Sequence, residues 1–235
     1  MDKKISLVIC NKNYNPFLPD LFESLVNQTF QDFEIIFLDY GSDTKPTNII
    51  KKYKEILDIK YMEKRFGNRS GSDIQHARNY AIEHVNTDTI CVIELDSIYY
   101  PQFFEIMYNE LYSDEKIGYV YCNFEYMRRH GKRLCVVPEF NPKNIKSWQT
   151  CILLKKKHFV PFNRDFFKLQ DWEWALSMKT HNDTNGKKVS ITSPLWMHKQ
   201  PNGEHGIKSI SWKYIREHNK YKVMLKELYP DIFKL

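Results

Sequence analysis

Four short runs rich in apolar and β-branched residues, Ile5 to Cys10, Glu34 to Asp39, Asp58 to Met62 and Thr89 to Leu95, alternate with stretches whose apolar residues recur at helical spacing. Leu18, Leu21, Phe22 and Leu25 form the first such stripe. Ile49, Ile50, Tyr53 and Ile56 form the second, and Ile74, Ala77, Ala81, Ile82 and Val85 the third. Three strand-to-helix steps in succession predict an α/β fold with a parallel, doubly wound sheet. The strands are near-continuous apolar runs, as expected where helices cover both faces.

After Asp96 the pattern changes. A helix over Pro101 to Tyr112 precedes two strand-like runs, Tyr119 to Met127 and Leu134 to Val137, joined by the polar turn Arg128 to Arg133 with Gly131 inside it. A helix from Asp171 to about His181, a strand over Val189 to Thr192 and a basic helix near Ser209 to Leu228 follow. This half reads as mixed sheet. With no linker, repeat or low-complexity tract, residues 1–235 read as one domain with an elaborated C-terminal half.

Composition narrows the class. Of 235 residues, 42% are hydrophobic and 27% charged, with only 8 Gly and 10 Pro, which excludes collagenous and disordered chains. The net charge of +6 suits an anionic partner without choosing among them. The aromatic content of 15% is high enough to line a groove as well as a core. Of the five cysteines, Cys10, Cys91, Cys122 and Cys135 lie in apolar strand-like runs, and Cys151 does not. That pattern predicts buried free thiols and a cytoplasmic protein. The first apolar run is too short for a signal-peptide core, and no run approaches the length of a membrane span.

In a doubly wound sheet, ligands bind beyond the carboxyl ends of the strands. The polar residues there are Asn11 and Asn13 after the first strand, Asp39 closing the second, and Glu94 and Asp96 closing the fourth. Each alone is as readily a cap or turn residue as a ligand. Glu94 and Asp96, two apart on an extended chain, would point the same way and present two carboxylates to a hard cation such as Mg2+ or Mn2+.

Several segments in order resemble the inverting glycosyltransferases of family 2, with the nucleotide-sugar-binding fold called GT-A. Ser6-Leu-Val-Ile-Cys-Asn-Lys-Asn13, and Leu25 through Ser42, are similar to the family's first strand, first helix and second strand. His76-Ala-Arg-Asn79 resembles its Ala-Arg-Asn segment. Ile90-Cys-Val-Ile-Glu-Leu-Asp96, followed by Pro101, resembles its Asp-x-Asp strand, and Leu169-Gln-Asp-Trp-Glu-Trp174 its Glu-Asp motif. The chain departs from the pattern at Glu94, a methylene longer than Asp, at Ser97, at Tyr40 where a second Asp is usual, and at Gln170 beside the base.

The resemblance implies a single GT-A-like domain, with residues 1–100 the nucleotide-binding half and 101–235 the acceptor half. It implies inverting transfer from a nucleotide diphosphate sugar, UDP above all, to a glycan, lipid-linked or protein-linked acceptor. It places the nucleotide at Cys10, Asn11, Asn13, Asp39, Arg78 and Leu95, with Asp39 accepting a base imide N–H and Arg78 binding phosphate or a site carboxylate. A divalent Mn2+ or Mg2+ would be held by Glu94, Asp96 and His198, and Asp171 would be the base. Glu173 would face away. Trp172 and Trp174 are open to sugar stacking or core packing, His76 reads as polar packing, and Asn202 to Gly206 as a flexible loop.

Lys155 to Lys157 and Arg128 to Arg133 read as solvated loops rather than a nucleic-acid track, because neither interleaves aromatics on a regular face. The basic C-terminal helix either docks on the domain or meets an anionic membrane. A binding module that kept the fold without the chemistry is the alternative of another class. A nucleotidyltransferase would need a Gly-rich phosphate loop, which is lacking.

Overall fold

Alternate residues of the central strands face opposite layers. β1 (Ile5–Asn11) sends Val8 and Cys10 into one apolar cluster and Ile5, Leu7 and Ile9 into the other. β2 (Phe33–Asp39) divides Ile36 and Leu38 from Ile35 and Phe37 in the same way. This two-sided burial is why the runs lack the polar alternation of a half-exposed strand. The computed structural model describes residues 3–67, 73–128, 131–137, 139, 141, 152–166, 169–196 and 212–233.

On one side of the sheet lie α1 (Leu18–Val26), α2 (Thr47–Tyr53) and α4 (Phe103–Leu111). Leu21, Phe22 and Leu25 of α1 are fully buried there, which stabilises the fold by about 1.5–3 kcal/mol for each side chain. On the other side α3 (Asp73–Ile82), α5 (Gln170–Asn182) and α6 (Trp212–Leu228) bury Ala77, Ala81, Leu176, Met178 and Leu225. A short α7 (Pro230–Phe233) ends the described chain.

The remaining strands are β3 (Ile59–Glu63), β4 (Thr89–Ile93), β5 (Ser97–Ile98), β6 (Ile117–Arg128), β7 (Gly131–Cys135), β8 (Ile152–Lys155) and β9 (Asn185–Trp196). The sheet runs β3-β2-β1-β4-β8-β6-β9-β5, with β7 beside β6. Six strands (β1, β2, β3, β4, β6 and β9) point one way, and β5, β7 and β8 oppose them. The sheet is therefore mostly parallel, as expected, with its antiparallel pairs in the second half.

Several local expectations need correction. β4 stops at Ile93, so Glu94 and Asp96 are not two residues of one extended strand; they lie on the turn between β4 and β5. β8 was not anticipated, because four residues are too few to show a period. Lys155, expected on a solvated loop, is buried at its end, with Nζ 3.3 Å from the carbonyls of Asp114 and Glu115 and 5.2 Å from the centre of the Tyr112 ring. Gly131 pairs with Arg128 as the first residue of β7 rather than sitting inside the turn. Cys10, Cys91 and Cys122 are buried free thiols, and Cys135 is half-buried. Burial pushes the Cys10 thiol up to about 12.

Candidate functional site

The carboxyl ends of β1, β2 and β4 meet at one edge of the sheet, where a cleft of about 310 Å³ opens. Its walls are Cys10, Tyr14, Tyr40, Ile74, Arg78, Ile93, Glu94, Leu95, Asp96 and Gln170. Five expected site residues, Cys10, Arg78, Glu94, Leu95 and Asp96, are thus brought together although they lie as many as 86 positions apart, counting from residue 10 to residue 96. A larger cleft of about 630 Å³ borders Ile117, Asn185 and Gly186, where β6 and β9 begin, on the opposite edge from these acids.

Asn11, Asn13 and Asp39 form a polar layer behind the cleft wall. Asp39 Oδ1 accepts the amides of Gly41 at 3.0 Å and Ser42 at 2.9 Å, and its Oδ2 accepts Asn11 Nδ2 at 2.9 Å. Burial opposes the charge, yet these bonds from Ser42, Gly41 and Asn11 outweigh it and hold Asp39 below the usual carboxylate range. A carboxylate offers about four lone-pair positions, and the Gly41 and Ser42 amides and the Asn11 side chain occupy three of them. Gly41 makes this possible with φ +121, a conformation that side-chain-bearing residues rarely adopt. Asn13, also at positive φ, donates its amide to Ser42 Oγ at 2.9 Å and its Nδ2 to Asp43 Oδ2 at 2.9 Å.

Arg78 of α3 is buried, and its Nη2 donates to Glu94 Oε1 at 2.9 Å. Its Nη1 is buried without a hydrogen-bond partner among the described residues, and the guanidinium carbon stands 5.5 Å from the centre of the Phe162 ring. Asp96 is buried at 9% exposure on the turn after Glu94. Among the described residues no cluster of three His, Cys, Asp or Glu side chains forms a metal cage. His198 and the 202–206 loop lie outside the described residues. The last described pair of β5 and β9 is Ser97 with Trp196, two residues before His198 and one after Asp96.

Asp171 was expected to open its helix. Instead α5 begins at Gln170, after Leu169 in the left-handed region at φ 58, which puts Asp171 in the first turn. Its carboxyl is raised from 3.8 to about 7, first by burial, with its own backbone N–H lowering it, Glu94 raising it and Arg78 lowering it. The response to Glu94 and Arg78 ties Asp171 electrostatically to the cleft. Gln170 lines the cleft and accepts a hydrogen bond from Gln75 of α3.

The neighbours of Asp171 are structural. Glu173 accepts from the Tyr229 hydroxyl at 2.8 Å, and Trp174 donates to the Val160 carbonyl at 2.7 Å. Trp172 and Trp174 are core residues at 1% and 2% exposure, which decides against sugar stacking for them. His76 packs its ring 4.2 Å from that of Phe66. Tyr40, Ile74, Ile93 and Gln170 were not singled out as cleft walls. The one available signal was Tyr40, an aromatic ring directly after a strand-ending Asp.

A family model described as glycosyl transferase family 2 matches residues 6–169. An uncharacterized glycosyltransferase of Bacillus subtilis, YwdF, is 31% identical over 208 residues, covering 82% of this chain and 74% of its own. The poly(ribitol-phosphate) beta-N-acetylglucosaminyltransferase TarP of Staphylococcus aureus is 29% identical over 111 residues, which is 46% of this chain and 32% of TarP. The chain thus spans about a third of TarP and most of YwdF. Among solved structures, TarS 1-349 of S. aureus in complex with UDP superposes with a TM-score of 0.67 at 13% identity, covering 83% of this chain and 61% of that one. The mannosyltransferase PcManGT of Pyrobaculum calidifontis, with GDP-Man and Mn2+, gives 0.65 at 11% identity over 95% and 65% of the chains. At such identities the likeness establishes the fold, the GT-A arrangement. The family match extends through the first strands, α3 and the acid turn to Leu169, and on it the chain belongs to glycosyl transferase family 2.

Proposed function

We propose that this chain transfers a sugar from a nucleotide diphosphate donor to an acceptor hydroxyl with inversion, residues 1–100 holding the donor and 101–235 the acceptor. The observation that carries the reading is Asp171, a carboxyl raised to about 7 that feels both Arg78 and Glu94 of the donor cleft. A base with a pKa near neutrality is both ionised and able to take a proton. Asp171 accepts the proton of the acceptor hydroxyl as that oxygen bonds to the anomeric carbon; the bond to the diphosphate breaks on the opposite face, which gives inversion.

The donor diphosphate fits beside Arg78, whose buried Nη1 still offers a donor. Asp96 and Glu94 are carboxylates suited to a Mn2+ or Mg2+ ion that would keep water and phosphate ligands, with His198 as the third protein ligand. Such an ion supplies neutralisation of charge on the departing diphosphate. UDP is the favoured nucleotide, because the S. aureus TarS structure was solved with it. The acceptor is a glycan, free or carried on lipid or protein, and a nucleic-acid substrate has no support. Among the described residues no helix is long and apolar enough to cross a membrane. Leu225 and Tyr229 dock α6 and its following turn on the core, while Lys220, Val223, Lys226 and Leu228 remain exposed toward any lipid-borne acceptor.

The test is nucleotide release from UDP-GlcNAc, UDP-glucose and GDP-mannose with Mn2+ present, comparing the parent with Asp171→Asn and Asp96→Ala. Release by the parent and its loss in both variants is expected. The Arg78–Glu94 pair, which occupies one metal acid, favours a single rival, a binding module without turnover. Donor binding by the parent without any release would select that rival.

A further inference from the structure

Asn79, the residue after Arg78 on α3, is not a wall of the cleft, yet both ends of its side-chain amide are engaged. Its Nδ2 donates to the Phe162 carbonyl at 2.9 Å, and its Oδ1 accepts the Phe162 N–H at 2.8 Å. Phe162 lies in no strand or helix, so its backbone has no ladder to join and the Asn79 amide serves in place of one. One turn earlier on the same helix, Gln75 donates to the Phe166 carbonyl at 3.0 Å. The segment 159–166, which runs between β8 and α5, is thereby strapped to α3 at two points.

The grip on Phe162 fixes more than backbone. Its ring is 2% exposed and stacks on Trp174 of α5, with centroids 4.4 Å apart and planes at 28°. The Arg78 guanidinium carbon stands 5.5 Å from the centre of the same ring, inside the roughly 6 Å over which a ring face attracts a cation. Glu94 meets that guanidinium through Nη2 alone, and Nη1 is buried without a hydrogen-bond partner among the described residues. Ordering a long side chain on binding costs roughly 2- to 13-fold in affinity. A ring that already confines the guanidinium removes that cost.

We propose that Asn79 is a positioning residue for Arg78: by gripping both backbone groups of Phe162 it sets the ring against which the guanidinium lies, and so presents Arg78 already ordered to an anionic group of the donor. This rests on the nucleotide-sugar reading above and adds which residue holds the anion-binding side chain in place.

The experiment is calorimetric titration of the full chain with inorganic pyrophosphate and with UDP, for the parent, Asn79→Ala, Phe162→Leu, Arg78→Ala and the double variant Asn79→Ala/Arg78→Ala. Gly186→Ala, which crowds Tyr119 at the opposite edge of the sheet, serves as a destabilised control. Asn79→Ala and Phe162→Leu should each weaken both ligands roughly 2- to 13-fold, and the control should not. In the Arg78→Ala background the Asn79 substitution should add nothing, because the side chain it positions is gone. In nucleotide release from UDP-GlcNAc, Asn79→Ala should raise KM by the same factor and leave kcat within about twofold, the mark of lost uniform binding. Should Asn79→Ala fail to fold, Phe162→Leu, which keeps apolar bulk in the core, carries the same test. Unchanged affinity in these single variants overturns the proposal, and so does an equal loss in Gly186→Ala or a further loss on adding Asn79→Ala to Arg78→Ala. A fall in kcat at unchanged KM overturns it too, since Asn79 would then act on α5 rather than on Arg78. If the parent binds neither pyrophosphate nor UDP, the donor reading itself fails and this inference with it; if both bind and the Asn79 effect does not depend on Arg78, only this inference fails.

Discussion

Arg78 Nη2 and Glu94 Oε1 are joined across 2.9 Å, and this bond fastens α3 to the acid turn after β4. The side chains are unequally sheltered, 5% exposed for Arg78 and 28% for Glu94, so the carboxylate retains some water. The interaction should therefore be worth less than a fully buried pair. Arg78→Ala is expected to lower stability by about 1.5–3 kcal/mol, the range for hydrogen bonds to charged groups. Glu94→Gln should cost less, since its amide oxygen still accepts from Arg78. Urea unfolding followed by tryptophan fluorescence measures both, and equal losses would show that the bond does not set the difference.

Asp171 yields a pH signature. Its folded-state value, about 7, lies above the 3.8 of the free group. The protonated carboxyl therefore stabilises the fold fully below about pH 4, and this contribution is lost as pH rises through about 7. Asp171→Asn lacks the titration. Its melting temperature relative to the parent should climb between pH 5 and pH 8, and a difference that stays flat would show that Asp171 titrates normally. In turnover, transfer by the parent should rise through pH 7, while Asp171→Asn loses roughly 100- to 10,000-fold.

Asp39→Asn places an amide where three donors converge on both carboxylate oxygens, and at least one must then face another donor. A stability loss of about 1–3 kcal/mol is expected for the unsatisfied group. The melting temperature should fall even without ligand, and a melt identical to the parent's would mean the Asn11–Asp39–Ser42 layer is dispensable.

Gly186, the second residue of β9, lies against the ring of Tyr119: a Cβ added there would fall 2.1 Å from Cζ. The ring is 1% exposed and hemmed in. Gly186→Ala should destabilise by about 1–3 kcal/mol through overpacking, read by urea titration, with the cleft acids untouched.

The first half of the fold was legible because β1, β2 and β4 each carry four apolar residues in a row, Leu7 to Cys10, Ile35 to Leu38 and Ile90 to Ile93, and each helix a clear stripe. The acids at the strand ends followed from topology, since parallel strands deliver their carboxyl ends to one edge. Spacing could not reveal that Glu94 and Asp96 share the cleft through a turn, because strand and turn look alike over three residues. β8 escaped notice for the same reason, its four residues being defined only by partners on either side. The occupied state of Asp39 was also hidden, for it depends on Ser42 and Gly41 folding back, which a sequence shows only as a loop. The place of Asp171 inside the first turn rather than at the helix's first position turns on Leu169 adopting a left-handed backbone, a choice that propensity disfavours for a bulky residue.

β8 joins the sheet's two halves, since among the described strands it alone pairs with both β4 and β6. Synthesis delivers β4 by residue 93 and β6 by residue 128, so both emerge before the strand that belongs between them. Until Lys155 leaves the ribosome, the nascent chain carries an open, strongly apolar β4 edge, the kind of surface that recruits foreign strands. Fragments ending before residue 152 should consequently be insoluble, and chaperone dependence during translation should concentrate in that interval.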